Sequence, residues 1–369
     1  MVAGNRSEMV GGVGSAPPAV TLAASSGRLS EAEALDLLEN ADLLELGARA
    51  DAVRRRLHPE GEVTFVVDRN INYTDVCVSG CRFCAFYKTP ASGAGYLLSE
   101  AEIYRKIEET LALGGTAVMM QGGLHPDLTI EWFERLFRGI KQRYPIHLHS
   151  LSPPEVAHIA KRSGISVAET LRRLRAAGLD SLPGGGAEVL VDRVRAAISP
   201  RKISAEEWLA VMREAHRQGM RGTATMMFGS IDTPAERVEH LRRVRELQDE
   251  TGGFTAFIPW TFQARNTALQ EGHRPATGAD YLRLLAVSRL YLDNVPNVQA
   301  SWVTQGLRVG QVALAFGAND MGSTMIEENV VRATGVAHRA DVGQMVSLIR
   351  AAGFKPVQRD SLYGVVRRF

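Results

Sequence analysis

The sequence predicts an α/β fold built on a parallel sheet, closed as a (β/α)8 barrel or open as a doubly wound sheet. Three observations carry this. Short β-branched runs alternate with longer helical stretches eight times between Val63 and Met321. That span matches the roughly 250 residues that eight such units need. The Gly-, Pro- and His-bearing loops follow the predicted strands, at the end where both folds place their sites. With 369 residues and 45% apolar content, the chain can fill a large core.

The elements follow in order. Residues 1–28, rich in Ala, Gly and Ser with Pro17-Pro18, are expected to form a disordered tail. They lack the basic start and continuous apolar run of a signal peptide. Residues 29–60 read as an N-terminal helical segment. Ser30 is a predicted N-cap with Glu33 at the third position, and Leu35, Leu37, Leu38, Leu43, Leu44 and Leu46 form an apolar stripe. A second helix is expected to run to Leu57. Residues 61–354 carry the alternation. Strands are expected at Val63–Val67, Thr116–Gln121, Ile146–Ser150, Gly178–Leu182, Arg221–Phe228, Phe254–Pro259, Asn297–Trp302 and Gly317–Met321. Helices are expected between them, over 99–113, 130–143, 154–163, 167–177, 188–197, 205–218, 234–250, 278–293 and 307–315. Residues 355–369 read as one or two extra strands closing one end.

Charge is nearly balanced, 43 Lys and Arg against 41 Asp and Glu, so no basic surface argues for nucleic acid. No apolar run approaches the ~18 residues of a membrane helix. A cytoplasmic protein is expected.

All three cysteines fall in one short stretch, Cys77-Val-Ser-Gly-Cys81-Arg-Phe83-Cys84. Thiolates are soft ligands suited to iron–sulfur clusters and zinc. Three cysteines would hold three irons of a [4Fe–4S] cluster and leave the fourth open to a small chelating molecule. A structural zinc would need a fourth ligand, with His125 or His149 available. A disulfide would leave one thiol over. Elsewhere, Gln121-Gly122-Gly123 and Gly184-Gly-Gly-Ala-Glu188 are loops in which the backbone can approach a ligand closely, or simply turn. Glu188 would favour the start of a helix. His147 and His149 alternate with apolar residues and share one strand face, so either could act as acid or base. Ser150 and Ser152 could bind a hydroxyl or carboxylate. Trp260, Gln263 and Asn266 combine a flat aromatic surface with polar groups.

The Cys-x3-Cys-x-aromatic-Cys pattern resembles the signature loop of the radical S-adenosylmethionine (SAM) enzymes. The wider resemblance, from about Asp36 onward, is to the cyclic dehypoxanthine futalosine synthases of menaquinone biosynthesis. It rests on Asp68–Asp75, Cys77–Tyr87, Met120–Asp127, His147–Glu155, Leu179–Glu188, Thr223–Gly229, Gly253–Gln263 and Ser301–Gly306. Ala264-Arg265 departs from the more compact turn of that family.

The resemblance implies the closed barrel of the biotin-synthase-like kind. It implies that Cys77, Cys81 and Cys84 hold a [4Fe–4S] cluster whose open iron chelates SAM. Gln121, Gly122 and Gly123 would meet the methionine end of SAM, Glu188 its ribose or amino group, and Phe83 would cover the cluster or adenine. The implied reaction removes hydrogen from ribose C4′ of dehypoxanthine futalosine and closes a ring onto its benzoate. A low-potential donor such as flavodoxin or ferredoxin would supply the electron. Related enzymes keep other reactions open: aminofutalosine synthase adds the adenosyl group, and the deazaflavin synthases join tyrosine to a pyrimidine. A non-catalytic iron–sulfur sensor would need neither glycine loop.

Overall fold

In the computed structural model, which describes residues 27–369, side-chain caps set the first two helices. Ser30 and Glu33 form the expected capping box at α1 (Glu31–Glu39). Asp42 accepts from the amides of Leu44 and Glu45 at α2 (Leu43–Leu57). The expected disordered tail falls largely outside the described residues. Its last residue, Arg28, does not belong to such a tail, because its guanidinium bonds Asp293 at 2.7 Å and Asp249 at 2.8 Å.

The strand–helix alternation follows: β1 (Glu62–Val66), β2 (Asp68–Ile71), α3 (Glu100–Ala112), β3 (Ala117–Met120), α4 (Ile130–Arg143) and β4 (His147–Ser150). Next come α5 (Pro153–Ser163), α6 (Val167–Ala177), β5 (Ser181–Leu182), α7 (Asp192–Ile198), α8 (Ala205–Arg217) and β6 (Arg221–Phe228). The chain continues through α9 (Pro234–Thr251), β7 (Phe254–Thr261), α10 (Gly278–Tyr291), β8 (Asn297–Val298), α11 (Trp302–Gln305) and α12 (Leu307–Ala313). It ends with β9 (Asp320–Ser323), α13 (Val342–Ala351), β10 (Lys355–Arg359) and β11 (Val365–Arg368).

Strands β2 to β8 form one parallel sheet in chain order. Strands β1 and β2 are one run bent at Val67: β1 pairs with β9 and β10, β2 with β3. A parallel bridge from Gln299 to Asp320 carries the sheet from β8 to β9. Counting the bent run once, eight parallel strands close into the expected barrel. The core lies between this barrel and its helices, with Phe137, Trp208, Phe257 and Tyr281 fully buried.

Four local expectations are corrected. Trp302 opens α11 instead of ending a strand, and β8 keeps only Asn297 and Val298. The last barrel strand begins at Asp320, because Gly317 ends a 3-10 turn in the left-handed region at φ 101°. Gly178 likewise caps α6 and is outside β5. Glu188 does not start a helix; it sits at φ 47°, and α7 begins at Asp192.

The C-terminal strands β10 and β11 extend the sheet beside β1. Gln358 donates to the Gly114 carbonyl at 3.0 Å, placing β10 beneath the start of β3. Arg359 then reaches the floor, where its guanidinium engages both carboxylate oxygens of Asp320. Thr64 donates to the same carboxylate at 2.5 Å and the Gly322 amide at 2.6 Å. The Tyr363 ring lies 4.0 Å from the Arg359 guanidinium.

Because both charges are buried, Asp320→Ala leaves Arg359 without a counter-ion. The urea unfolding midpoint is expected to drop by the equivalent of about 3–5 kcal/mol. Replacing the pair together, Asp320→Leu with Arg359→Met, is expected to recover most of that loss.

Candidate active site

The three cysteines lie on the loop that leaves β2 at the barrel mouth. Bridges from Thr74 to Leu97 and Val76 to Lys88 pin its base. The Cys77 sulfur accepts from the amides of Leu124 at 3.2 Å and Ser79 at 3.4 Å. The Ser79 hydroxyl stands 3.1 Å from the Cys81 sulfur. Burial pushes the Cys81 thiol up, opposed by the Lys202 ammonium and Ser79. Burial does the same at Cys84, opposed by the amides of Phe86 and Tyr87. All three thiols are free.

Sulfurs that receive N–H and O–H donors fit metal-bound thiolates, whose negative charge those donors stabilise. The two histidines offered as a fourth zinc ligand are both engaged at Nδ1. His125 Nδ1 accepts from the Asp127 amide at 3.1 Å, and His149 Nδ1 meets the Ser181 hydroxyl at 2.7 Å. Among the described residues no three His, Cys, Asp or Glu side chains converge on a single-ion site.

The Gln121-Gly-Gly loop packs directly on the cysteine loop. A Cβ on Gly123 would stand 2.2 Å from the Val76 carbonyl oxygen, and one on Gly122 2.7 Å from the Tyr73 ring. Only glycine permits that approach. The Gly122 amide donates to Glu155 at 2.9 Å and the Gly123 amide to the Thr74 carbonyl at 2.9 Å. These amides are therefore engaged within the protein, and the Gln121 carbonyl accepts from Asn72 at 3.0 Å.

Glu155 organises this junction and was missed as a functional residue. It accepts from Tyr73 Oη at 2.8 Å, the Ser152 amide at 2.7 Å and the Ser152 hydroxyl at 2.6 Å. Its signal was the spacing Ser152-Pro-Pro-Glu155, a capping box at α5. Ser152 is thereby corrected: its hydroxyl serves the cap. Ser150 is corrected by strand alternation. It points to the helix layer, opposite His149, with its buried hydroxyl lacking a partner.

Glu188 is buried beside the cysteine loop and bonds Lys202 Nζ at 2.5 Å. Burial alone would lower the Lys202 ammonium, but negative charge on the Cys81 sulfur and the Glu188 carboxylate holds it up. Lys202 Nζ also lies 5.0 Å from the centre of the Phe83 ring. Phe83, Glu188 and Lys202 thus share one corner, and sequence gave no sign of Lys202. Arg195 fixes the glycine-rich loop through the carbonyls of Gly186 and Ala187.

The barrel lumen holds a cavity of about 270 Å3. Of the expected residues, Gln121, His149 and Trp260 line it. Asp68, Asn70, Thr223, Thr225 and Gln299 join them, unforeseen because each lies inside a strand or just past its end. His147 and His149 do share a face, both within 2.7 Å of Ser181 Oγ. Burial pushes His149 down to about 3 and lowers His147, which favours the neutral ring at both. Gln263 turns back to Thr261 Oγ1 at 3.0 Å. Asn266, at φ 64°, donates to the Ala333 carbonyl and borders a surface hollow beside Cys81 and Cys84. Neither Gln263 nor Asn266 lines the lumen.

Residues 324–341 fold over the mouth, with Met325, Val330 and Val331 facing the cavity. Glu327 ties this cover to Lys106 at 2.6 Å and Arg69 at 3.2 Å. Glu328 accepts from the amides of Val330, Val331 and Arg332 at 2.8–2.9 Å.

Glu155→Gln keeps the size of the side chain but sets an NH2 donor against N–H and O–H donors. Stability is expected to fall by about 1–3 kcal/mol, read as a lower urea midpoint.

A model of the radical SAM superfamily matches residues 71–244, and one of the CofH/MqnC C-terminal region matches 251–368. The chain is 49% identical over 343 residues to cyclic dehypoxanthine futalosine synthase of Halalkalibacterium halodurans, covering 93% of this chain and 92% of that protein. It is 42% identical over 364 residues to 5-amino-6-(D-ribitylamino)uracil–L-tyrosine 4-hydroxyphenyl transferase of Methanococcoides burtonii, covering 95% and 99%. Methylornithine synthase (PylB) shares the fold at a TM-score of 0.69 and 19% identity, over 90% of this chain and 95% of that one. The first family model spans the cysteine and glycine loops and the second spans the cover and the barrel floor, so the chain belongs to the radical SAM superfamily, in the group with the CofH/MqnC C-terminal region.

Proposed function

We propose that the chain catalyses the oxidative cyclisation of dehypoxanthine futalosine to cyclic dehypoxanthine futalosine, a step toward menaquinone. The observation that carries this reading is 49% identity, over 93% of the chain, to a synthase of that name. When bound, the [4Fe–4S] cluster and SAM supply the deoxyadenosyl radical chemistry that removes hydrogen from ribose C4′.

The chain's own residues have three tasks. Cys77, Cys81 and Cys84 hold three irons, with amide donors supporting the Cys77 and Cys84 sulfurs. Phe83, Gln121 and the Glu188–Lys202 pair border the SAM side. The lumen positions the substrate. Trp260, Met119 and Ile258 offer apolar surface to the benzoate ring, and Asn70, Thr225 and Gln299 offer hydrogen bonds. The one lining cation among the described residues, Arg359, is engaged by Asp320, so neutral donors must hold the substrate's carboxylate. The 324–341 cover excludes water, which keeps an aggressive radical on its intended path. Electrons come from a low-potential carrier such as flavodoxin or ferredoxin.

A second reading is favoured by one observation, the 42% identity to the tyrosine-joining transferase. An anaerobic assay of the reconstituted enzyme with SAM and reductant separates the two. Dehypoxanthine futalosine is expected to yield a product two hydrogens lighter, alongside free 5′-deoxyadenosine, by mass spectrometry. Cys81→Ala is expected to abolish both. An untouched futalosine substrate, with tyrosine joined to 5-amino-6-(D-ribitylamino)uracil, would establish the transferase instead.

A further inference from the structure

We infer that Asp68, on the lumen wall where β2 begins, receives the proton released when the substrate's ring regains its aromaticity. This rests on the cyclisation reading above. Once a carbon radical has added to a benzene ring, the attacked ring carbon is tetrahedral and still carries its hydrogen. The C–H bond must then break. Its electron pair enters the ring, the proton goes to a base, and the surplus electron goes to a one-electron acceptor, here an oxidised iron–sulfur cluster. Removing hydrogen from the ribose needs no base. Restoring the ring does.

The lumen offers few groups for this. Glu328 is saturated by three backbone amides. Asp320 is saturated by Arg359, Thr64 and Gly322. The His149 ring is held at Nδ1 by Ser181, and burial pushes it down to about 3, so it is a weaker base than a carboxylate raised to about 6. Arg359 and Tyr363 are donors.

Asp68 differs from all of these. Its Oδ1 accepts from the Ser323 hydroxyl, while its Oδ2 has no partner among the described residues, and the side chain lines the cavity. The residue opens β2, so the strand carries Asn70 and then the cysteine loop away from it toward the mouth. The ring carbon that loses the proton is bonded to C4′, so a substrate in the lumen must present that pair of carbons between the radical source on the mouth side and this carboxylate on the lumen wall.

Several groups face Asp68. Asp320 and Ser323 lie on β9, and Arg359 and Tyr363 lie on β10 and the turn after it. His149 on β4 and Glu328 in the cover line the same cavity. Burial pushes the Asp68 carboxyl up to about 6, with Ser323 and Arg359 opposing and Asp320 adding to the rise. A base near that value is stronger than an ordinary carboxylate and still ionised at neutral pH.

The test follows product and 5′-deoxyadenosine separately from pH 5 to 8. In the wild type, cyclisation is expected to rise with pH through a midpoint near 6, where Asp68 loses its proton. Asp68→Asn is expected to lower cyclisation about 100-fold, as loss of a general base does. Release of 5′-deoxyadenosine should continue within a few-fold of wild type, and the acid limb should vanish. Asp68→Glu should restore part of the cyclisation. Ser323→Ala, which removes a hydrogen bond to the ionised carboxylate, should move the acid limb to higher pH.

Cyclisation by Asp68→Asn at the wild-type rate would overturn the inference. So would a parallel fall of both products in Asp68→Asn and Asp68→Glu together with an unmoved acid limb in Ser323→Ala. Failure of the wild type itself to cyclise the substrate would instead overturn the functional reading.

Discussion

Barrel closure is the constraint on which the rest depends. A parallel barrel has no free edge only if its last strand returns to its first. Here that seam is narrow: two paired positions join β9 to β1, and a single bridge joins β8 to β9. Asp320 is common to both contacts, and its buried carboxylate collects Thr64, Gly322 and Arg359. The backbone ladder is thus thin where the side-chain network is dense. Arg359 enters from β10, so the C-terminal strands do more than extend a sheet. They supply the counter-ion that makes a buried carboxylate tolerable at the floor.

Closure creates a lumen, and two coverings make it a reaction chamber. At the floor the Arg359–Asp320 pair and Tyr363 fill the barrel end. The 324–341 segment first runs beside β2, where Ile326 bonds the Asp68 carbonyl and Glu327 pairs with Arg69 and Lys106, and then crosses to the loop after β7, where Asn266 bonds the Ala333 carbonyl. The cysteine loop sits on the same rim, pressed against Gly122 and Gly123. Glu155 links the two loops to α5, because one carboxylate accepts from Tyr73, Gly122 and Ser152 together. The cysteine loop there is fixed by packing, at the rim of a barrel whose lumen has few free charges.

That scarcity of charge matters to the chemistry. Radical steps need positioning and the absence of stray hydrogen donors more than they need acids and bases. Most titratable groups at the lumen are already engaged: Glu328 by amides, His149 by Ser181, Arg359 by Asp320. Asp68 keeps a free oxygen in a buried place, which is why it stands out.

The sequence by itself determined the local and periodic features. Alternation of strand and helix patterns specified a parallel α/β fold, and three cysteines within eight residues specified a soft-metal loop. The Ser30–Glu33 and Ser152–Glu155 boxes are three-residue relations and were open to reading, although only the first was read as a cap. Strand alternation would also have placed Ser150 on the outer face, away from His149. What only the tertiary structure decided are meetings between residues far apart in the chain. Asp68 and Ser323 are 255 positions apart, Arg69 meets Glu327 from the far end of the barrel sequence, and Lys202 reaches Glu188 at the φ 47° turn of the glycine-rich loop. The physical reason is that periodicity encodes which face of an element is buried, whereas the partner opposite a buried polar group is chosen when the barrel closes.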